Sequence, residues 1–169
     1  IMGLDGLSLP LLGLTLAVVP LVFIYSWNHI PEPGNPKAFL SLMLILETGM
    51  IGSFLAEDLI LFFVFFEVVL LPMYFLIGVW GGPERKYASI KFFIYTLLGS
   101  SLMIVSFVAI YFLVKDPVTG EAIKTFSIPQ LKAAGGEGVA RAAQVVLFGG
   151  MFMGFGIKVP MFPFHTWLP

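Results

Sequence analysis

The stretch Leu59–Trp80, LILFFVFFEVVLLPMYFLIGVW, decides the fold. It is one apolar run in which Glu67 is the sole charged residue. A helix needs about 20 predominantly apolar residues to cross the hydrocarbon core of a bilayer. The run is continuous rather than alternating, so it reads as a helix and not as a barrel strand. Just upstream, Glu57 and Asp58 mark a tight turn, and Lys37–Ala56 forms the span before it. Glu47 lies ten residues before Glu57, and Glu67 ten residues after it. At about 1.5 Å rise per residue, each sits about 15 Å from the turn, near the middle of a core about 30 Å thick. Two carboxylates therefore meet the midplane on neighbouring helices.

The pattern repeats outward from this hairpin. A first span covers Gly6–Trp27, with Pro20 as a kink. The loop Asn28–Pro36 holds Pro31, Pro33, Gly34 and Pro36, through which no helix continues. Gly81, Gly82 and Pro83 end the third span, and a fourth covers Tyr87–Val114. Lys115–Arg141 is the one long polar stretch, with Pro117, Gly120, Gly135, Gly136 and Gly138. It reads as an extramembrane loop with a short amphipathic piece around Ile128–Ala133, not as a domain. A fifth span begins near Ala142 and is broken at Pro160 and Pro163. The expected fold is an all-α integral membrane bundle of about five transmembrane helices, the last one broken.

The chain begins on Ile1 and stops at Trp167-Leu168-Pro169 without a polar tail, so it is expected to be a piece of a longer protein. Lysines and arginines divide four against four between the two sides. The compact Arg85-Lys86 pair, and dilution of the other side by Asp116, Glu121 and Glu137, place the Arg85 side in the cytoplasm.

Composition supports this class and excludes others. The chain is 59% hydrophobic and 11% charged, with a mean hydropathy of +0.99. Soluble domains are about half apolar and about a quarter charged. A net charge of −1 offers no basic field for nucleic acid. With no cysteine, disulfides, iron–sulfur ligation and thiol chemistry are excluded. His29 and His165 are too few and too far apart for a bis-histidine haem or a zinc site.

Three charges fall inside spans: Glu47, Glu67 and Lys158. An ionised side chain at the bilayer centre costs about 2.5–3.5 kcal/mol on insertion scales, so it is seldom there without a partner or a function. Lys158 lies 16 residues beyond Ala142, about 24 Å along a helix. Burial disfavours the charged form of carboxyl and amine alike, and an opposite charge nearby restores it. A glutamate and a lysine on facing helices thereby couple their protonation, as a proton relay requires. Pro72 and Pro160 disturb the helical ladder beside Glu67 and Lys158, freeing carbonyls that can hold water. Plainer roles fit the same residues. A Glu–Lys pair can simply lock two helices, Glu47 can hydrogen-bond a neighbouring hydroxyl, and His165 can cap a broken end. Lys91 can snorkel to the interface. Phe62–Phe66 reads as packing or lipid contact, and Gly149, Gly150, Gly154 and Gly156 as close helix packing.

The segment Phe65-Phe66-Glu67-Val68-Val69-Leu70-Leu71-Pro72-Met73-Tyr74-Phe75-Leu76-Ile77-Gly78-Val79-Trp80-Gly81-Gly82 resembles the glutamate-bearing helix of subunit M (chain 4) of proton-pumping NADH-quinone oxidoreductases. Gly3–Ser8, Lys91–Thr96 and Ile157–Pro169 are similar to further segments of that family, so the likeness covers nearly the whole chain. It implies that Glu67 is the essential carboxylate of the fifth transmembrane helix and Lys158 its partner on a broken seventh. Glu47 then belongs to the fourth helix, and His165 to the hydrophilic axis of the membrane arm. Residues 1–169 form most of the first of two inverted repeats, a partial proton-antiporter-like domain holding helices three to seven. No cofactor is implied in this chain; NADH, FMN, iron–sulfur clusters and quinone belong to other subunits. The implied partners are L-type and N-type neighbours, the lipid bilayer and protons. The implied location is a bacterial inner membrane, with an organellar one as the alternative. The fold also occurs in multisubunit cation/proton antiporters and membrane-bound hydrogenases, but Leu70–Gly78 is similar to the M type. A sodium/proton antiporter subunit and a structural spacer are the rival readings.

Overall fold

The computed structural model describes residues 1–136 and 138–168. Glu137, counted in the charge comparison, and Pro169, the end of the last family-like segment, lie outside the described residues. The element order is α1 (Ser8–Ser26), α2 (Pro36–Leu55), α3 (Leu59–Val68), α4 (Leu70–Trp80), α5 (Arg85–Leu113), α6 (Ile128–Ala134) and α7 (Arg141–Lys158). Among the described residues there are isolated β-bridges but no strand. The protein is an all-α integral membrane protein.

Local chemistry sets the helix ends. The Asp5 carboxylate accepts the N–H groups of Leu7 (3.0 Å) and Ser8 (2.6 Å), which have no intrahelical partner at the start of α1. α1 then continues through Pro20. α2 starts one residue earlier than expected. Asn35 takes the left-handed conformation (φ 57°), and its side chain accepts from the Ala38 N–H at 3.3 Å. Pro36 then occupies the first helical position, where a missing N–H costs nothing. At the end of α4, the Gly81 N–H donates to the Ile77 carbonyl and the Arg85 guanidinium to the Val79 carbonyl.

Among the described residues, four helical stretches are long and apolar enough to cross a membrane: Ser8–Ser26, Pro36–Leu55, Leu59–Trp80 and Arg85–Leu113. In each of the first three, only 11% of the apolar window is buried within the chain, so lipid or further protein must cover the rest. The fifth expected span corresponds to α7. α7 has the position and an 18-residue length, but Arg141, Gln144 and Lys158 lie within it and its hydropathy falls short. Its break is as expected. The helix ends at Lys158, and the chain turns back through the bonds Met161 N–H to Gly156 O (2.8 Å) and Phe164 N–H to Met161 O (2.6 Å). No helix resumes before residue 168.

The residues divide into two compact units, Met2–Ala56 with Leu61–Phe93, and Ile1 with Glu57–Ile60 and Ile94–Pro169. In the first, α2 packs against α1 and α4. The Trp80 indole donates to the Gly34 carbonyl at 2.7 Å and meets Phe39 edge-on, tying α4 to the loop before α2. In the second, α5 packs on α7 through glycines. A Cβ built at Gly154 comes within 2.8 Å of the Met103 Cβ and 2.9 Å of the Gly99 carbonyl. One built at Gly150 meets the Ser106 hydroxyl, whereas one at Gly149 meets nothing within 4 Å. The expected packing role holds for Gly150 and Gly154, while a Cβ at Gly149 meets no atom of this chain and one at Gly156 meets only Met161, at ordinary contact distance. The polar stretch is anchored at the hairpin turn: Leu59 N–H donates to Phe126 O, and Ile128 N–H to Glu57 O, both at 2.9 Å. The expected amphipathic piece forms α6 immediately after this anchor.

Candidate functional site

Glu67 sits half-buried, one residue before α3 ends. α3 and α4 together make the third expected span, and the ladder between them is interrupted at Val69. The cause is Pro72, which has no N–H to offer the Val68 carbonyl four residues back. The backbone of Val69 stays helical (φ −63°, ψ −29°), so the interruption costs a hydrogen bond without turning the chain. A carbonyl freed in this way beside a carboxyl group suits ordered water.

The α2–α3 seam is made of glycine on one side and a ring and a valine on the other. A Cβ at Gly49 lies 2.7 Å from Val69 Cγ2, and one at Gly52 collides with the Phe65 ring. Glu47 and Glu67 each stand two residues from a seam residue, which is about 200° around a helix. Both carboxylates are thus turned away from the seam. They lie on opposite outer faces of the helix pair, not facing each other.

Lys158 and His165 belong to the other unit. Lys158 is half-buried as the last residue of α7, where a cation complements the helix dipole. His165 is exposed in the turn beyond the break, its ring stacked on Phe162 at 5.7 Å. Lys91 is half-buried on α5, with Nζ 5.8 Å from the centre of the Tyr87 ring one helical turn earlier.

Sequence reasoning passed over three features. Thr96, Ser100 and Ser106 are buried on α5, the two serines donating to carbonyls four residues back at 3.0 and 3.1 Å. Their spacing on one helical face was the available signal. The second is Trp167, whose indole N–H donates to the Ile157 carbonyl at 2.7 Å and so closes the broken end of α7. Trp167→Phe removes that donor and leaves the carbonyl of a buried residue without it. We expect a loss of about 1–3 kcal/mol, measured as a lower unfolding temperature of the detergent-solubilised parent complex. The third is Gly49, whose closeness to Val69 no single-residue pattern announces.

Several helices long and apolar enough to cross a membrane define a class, the polytopic membrane proteins. The comparisons narrow it. A family model described as NADH:quinone oxidoreductase/Mrp antiporter, TM, matches residues 56–169, and one described as NADH-ubiquinone oxidoreductase chain 4, amino terminus, matches residues 1–53. The chain belongs to the NADH:quinone oxidoreductase/Mrp antiporter membrane family. It is 42% identical over 172 residues to NADH-quinone oxidoreductase subunit M of Rhodobacter capsulatus, covering 99% of this chain and 32% of that one. It is 35% identical to F(420)H(2) dehydrogenase subunit M of Methanosarcina mazei, over 99% of this chain and 33% of that one. Among solved structures it is similar to a chain of respiratory complex I from Thermus thermophilus with bound NADH. That match has a TM-score of 0.79 and 32% identity, over 99% of this chain and 32% of that one. The chain spans about a third of the length of these relatives.

Proposed function

We propose that this chain is part of a proton-translocating membrane-arm subunit of an NADH–quinone oxidoreductase, the M-type subunit. The observation that carries the reading is Glu67, a half-buried carboxyl within an otherwise uncharged apolar span, set beside a helix interruption in a chain of this family. Glu67 changes protonation, Lys158 modulates and relays, and Glu47 and His165 connect to neighbouring water. Electron transfer and quinone chemistry belong to other subunits, which hold NADH, FMN, the iron–sulfur clusters and quinone. Energy arrives from them as a conformational or electrostatic disturbance. The neighbours are L-type and N-type membrane subunits, and the membrane is a bacterial inner membrane. Residues 1–169 make up most of the first inverted repeat, with 115–141 as its extramembrane loop.

A relative named for F(420)H(2) shows a similar chain in an enzyme with another electron donor, which fits a donor site outside this chain. The test uses sealed vesicles carrying the parent complex, with NADH oxidation and proton uptake recorded together in sodium-containing and sodium-free media. Uptake that follows NADH oxidation in both media is the expected result. Uptake that requires a sodium gradient and ignores NADH would make the protein an antiporter subunit and overturn the reading.

A further inference from the structure

We infer that Gly49 is a positioning residue for Glu67, a role that rests on Glu67 being the proton carrier. Its bare Cα lets α2 lie directly behind the turn that holds the carboxyl. A Cβ at Gly49 would come within 2.7 Å of Val69 Cγ2 and within 3.2 Å of both the Phe65 carbonyl oxygen and the Val69 amide nitrogen. Those two backbone atoms flank Glu67, two residues away on either side. At about 100° per residue the Glu67 side chain leaves the helix on the opposite face, so α2 supports the turn from the rear.

Support matters here because the turn is incomplete. The Val68 carbonyl has no donor at position 72, and the helix ladder is interrupted at Val69. A turn short of one ladder bond is held in place more by its neighbours than by itself. Of its neighbours, Gly49 is buried and touches the turn's backbone, which cannot step aside as a flexible side chain would. Gly52, one helical turn further on, is buried against the Phe65 ring instead. The two glycines therefore play different parts. Gly52 admits a ring, and Gly49 sets how far α2 stands from the peptide groups around Glu67. Any substitution at Gly49 pushes that turn, and the carboxyl with it, away from α2.

The test places Gly49→Ala in the intact parent complex and measures NADH-driven proton uptake per assembled complex. A few tenths of an ångström of misplacement is expected to lower the maximal rate about ten-fold while the KM values for NADH and quinone stay unchanged. The double variant Gly49→Ala/Val69→Ala removes the nearest obstacle, the Val69 methyl at 2.7 Å, leaves the two backbone contacts at 3.2 Å, and is expected to recover part of the rate. Gly49→Ala with an unmodified maximal rate overturns the inference. Should Gly49→Ala fail to assemble, the double variant decides: assembly with substantial uptake supports the contact, and its failure to assemble or to pump overturns it. Glu67→Gln separates the two layers. An active Glu67→Gln complex sinks the reading of Glu67 itself, whereas an inactive one beside a normal Gly49→Ala complex sinks the positioning role alone.

Discussion

Glu67→Gln in the intact parent complex is expected to reduce both NADH oxidation by quinone and coupled proton uptake by at least about a hundred-fold, the lower range of what a placed proton-transfer group contributes. Glutamine keeps the size of the side chain and part of its hydrogen-bonding capacity, but it cannot bind and release a proton. Insertion is not harmed, since an amide is easier to place in an apolar span than a carboxylate. The amount of assembled complex should therefore stay near normal, and the loss should appear as rate per complex. Both activities fall together because redox turnover and proton movement share one obligatory route in the proposed mechanism. A variant in which NADH oxidation persists while uptake vanishes would show that Glu67 carries protons without gating turnover. Normal values for both would make Glu67 a structural residue, holding helices together and nothing more.

Much of the architecture follows from short-range chemistry, and for that reason it is legible without coordinates. Hydropathy alone separates Leu59–Trp80 from its surroundings, and Asn35-Pro36 and Gly81-Gly82-Pro83 mark where helices start and stop. The interruption beside Glu67 follows from Pro72, whose effect on the carbonyl four residues earlier is a matter of covalent structure. Facing is another matter. A span that is apolar all round carries no moment to tell which side turns inward. The equal spacing of Glu47 and Glu67 from the turn could thus be counted, while their opposed faces could not. Those faces depend on Gly49 and Gly52 meeting Val69 and Phe65, a fit between distant residues. The same limit explains why four glycines of α7 looked alike in sequence although Gly149 touches nothing nearby and Gly154 meets a facing backbone. The fifth span, expected from near Ala142, takes in Arg141 as well when it folds as α7, and Arg141, Gln144 and Lys158 leave that helix less apolar than the others.

Gly154→Val should produce the largest structural effect in the second unit. In a membrane, helices are held together by close packing and not by the exclusion of water, so a residue without a side chain at the point of closest approach cannot be enlarged cheaply. At Gly154 the obstacles are the Met103 Cβ at 2.8 Å and the Gly99 carbonyl at 2.9 Å, neither of which can rotate out of the way. The contact is reciprocal, because a Cβ at Gly99 would lie 3.0 Å from the Ile157 Cβ. Overfilling of this kind costs about 1–3 kcal/mol, and valine adds two methyl groups beyond the Cβ. Assembled complex is then expected to fall about ten-fold, as about 1.4 kcal/mol implies for an assembly equilibrium. Ile157 immediately precedes Lys158, so spreading α5 from α7 also displaces that amine. The complexes that do assemble should pump more slowly for this reason. Gly149→Val, five residues earlier on the same helix, meets nothing of this chain within 4 Å and should leave the seam and the yield unchanged. Equal yields and equal unfolding temperatures for the two variants, measured on purified complex in detergent, would remove the α5–α7 seam as the feature that sets Lys158 in place.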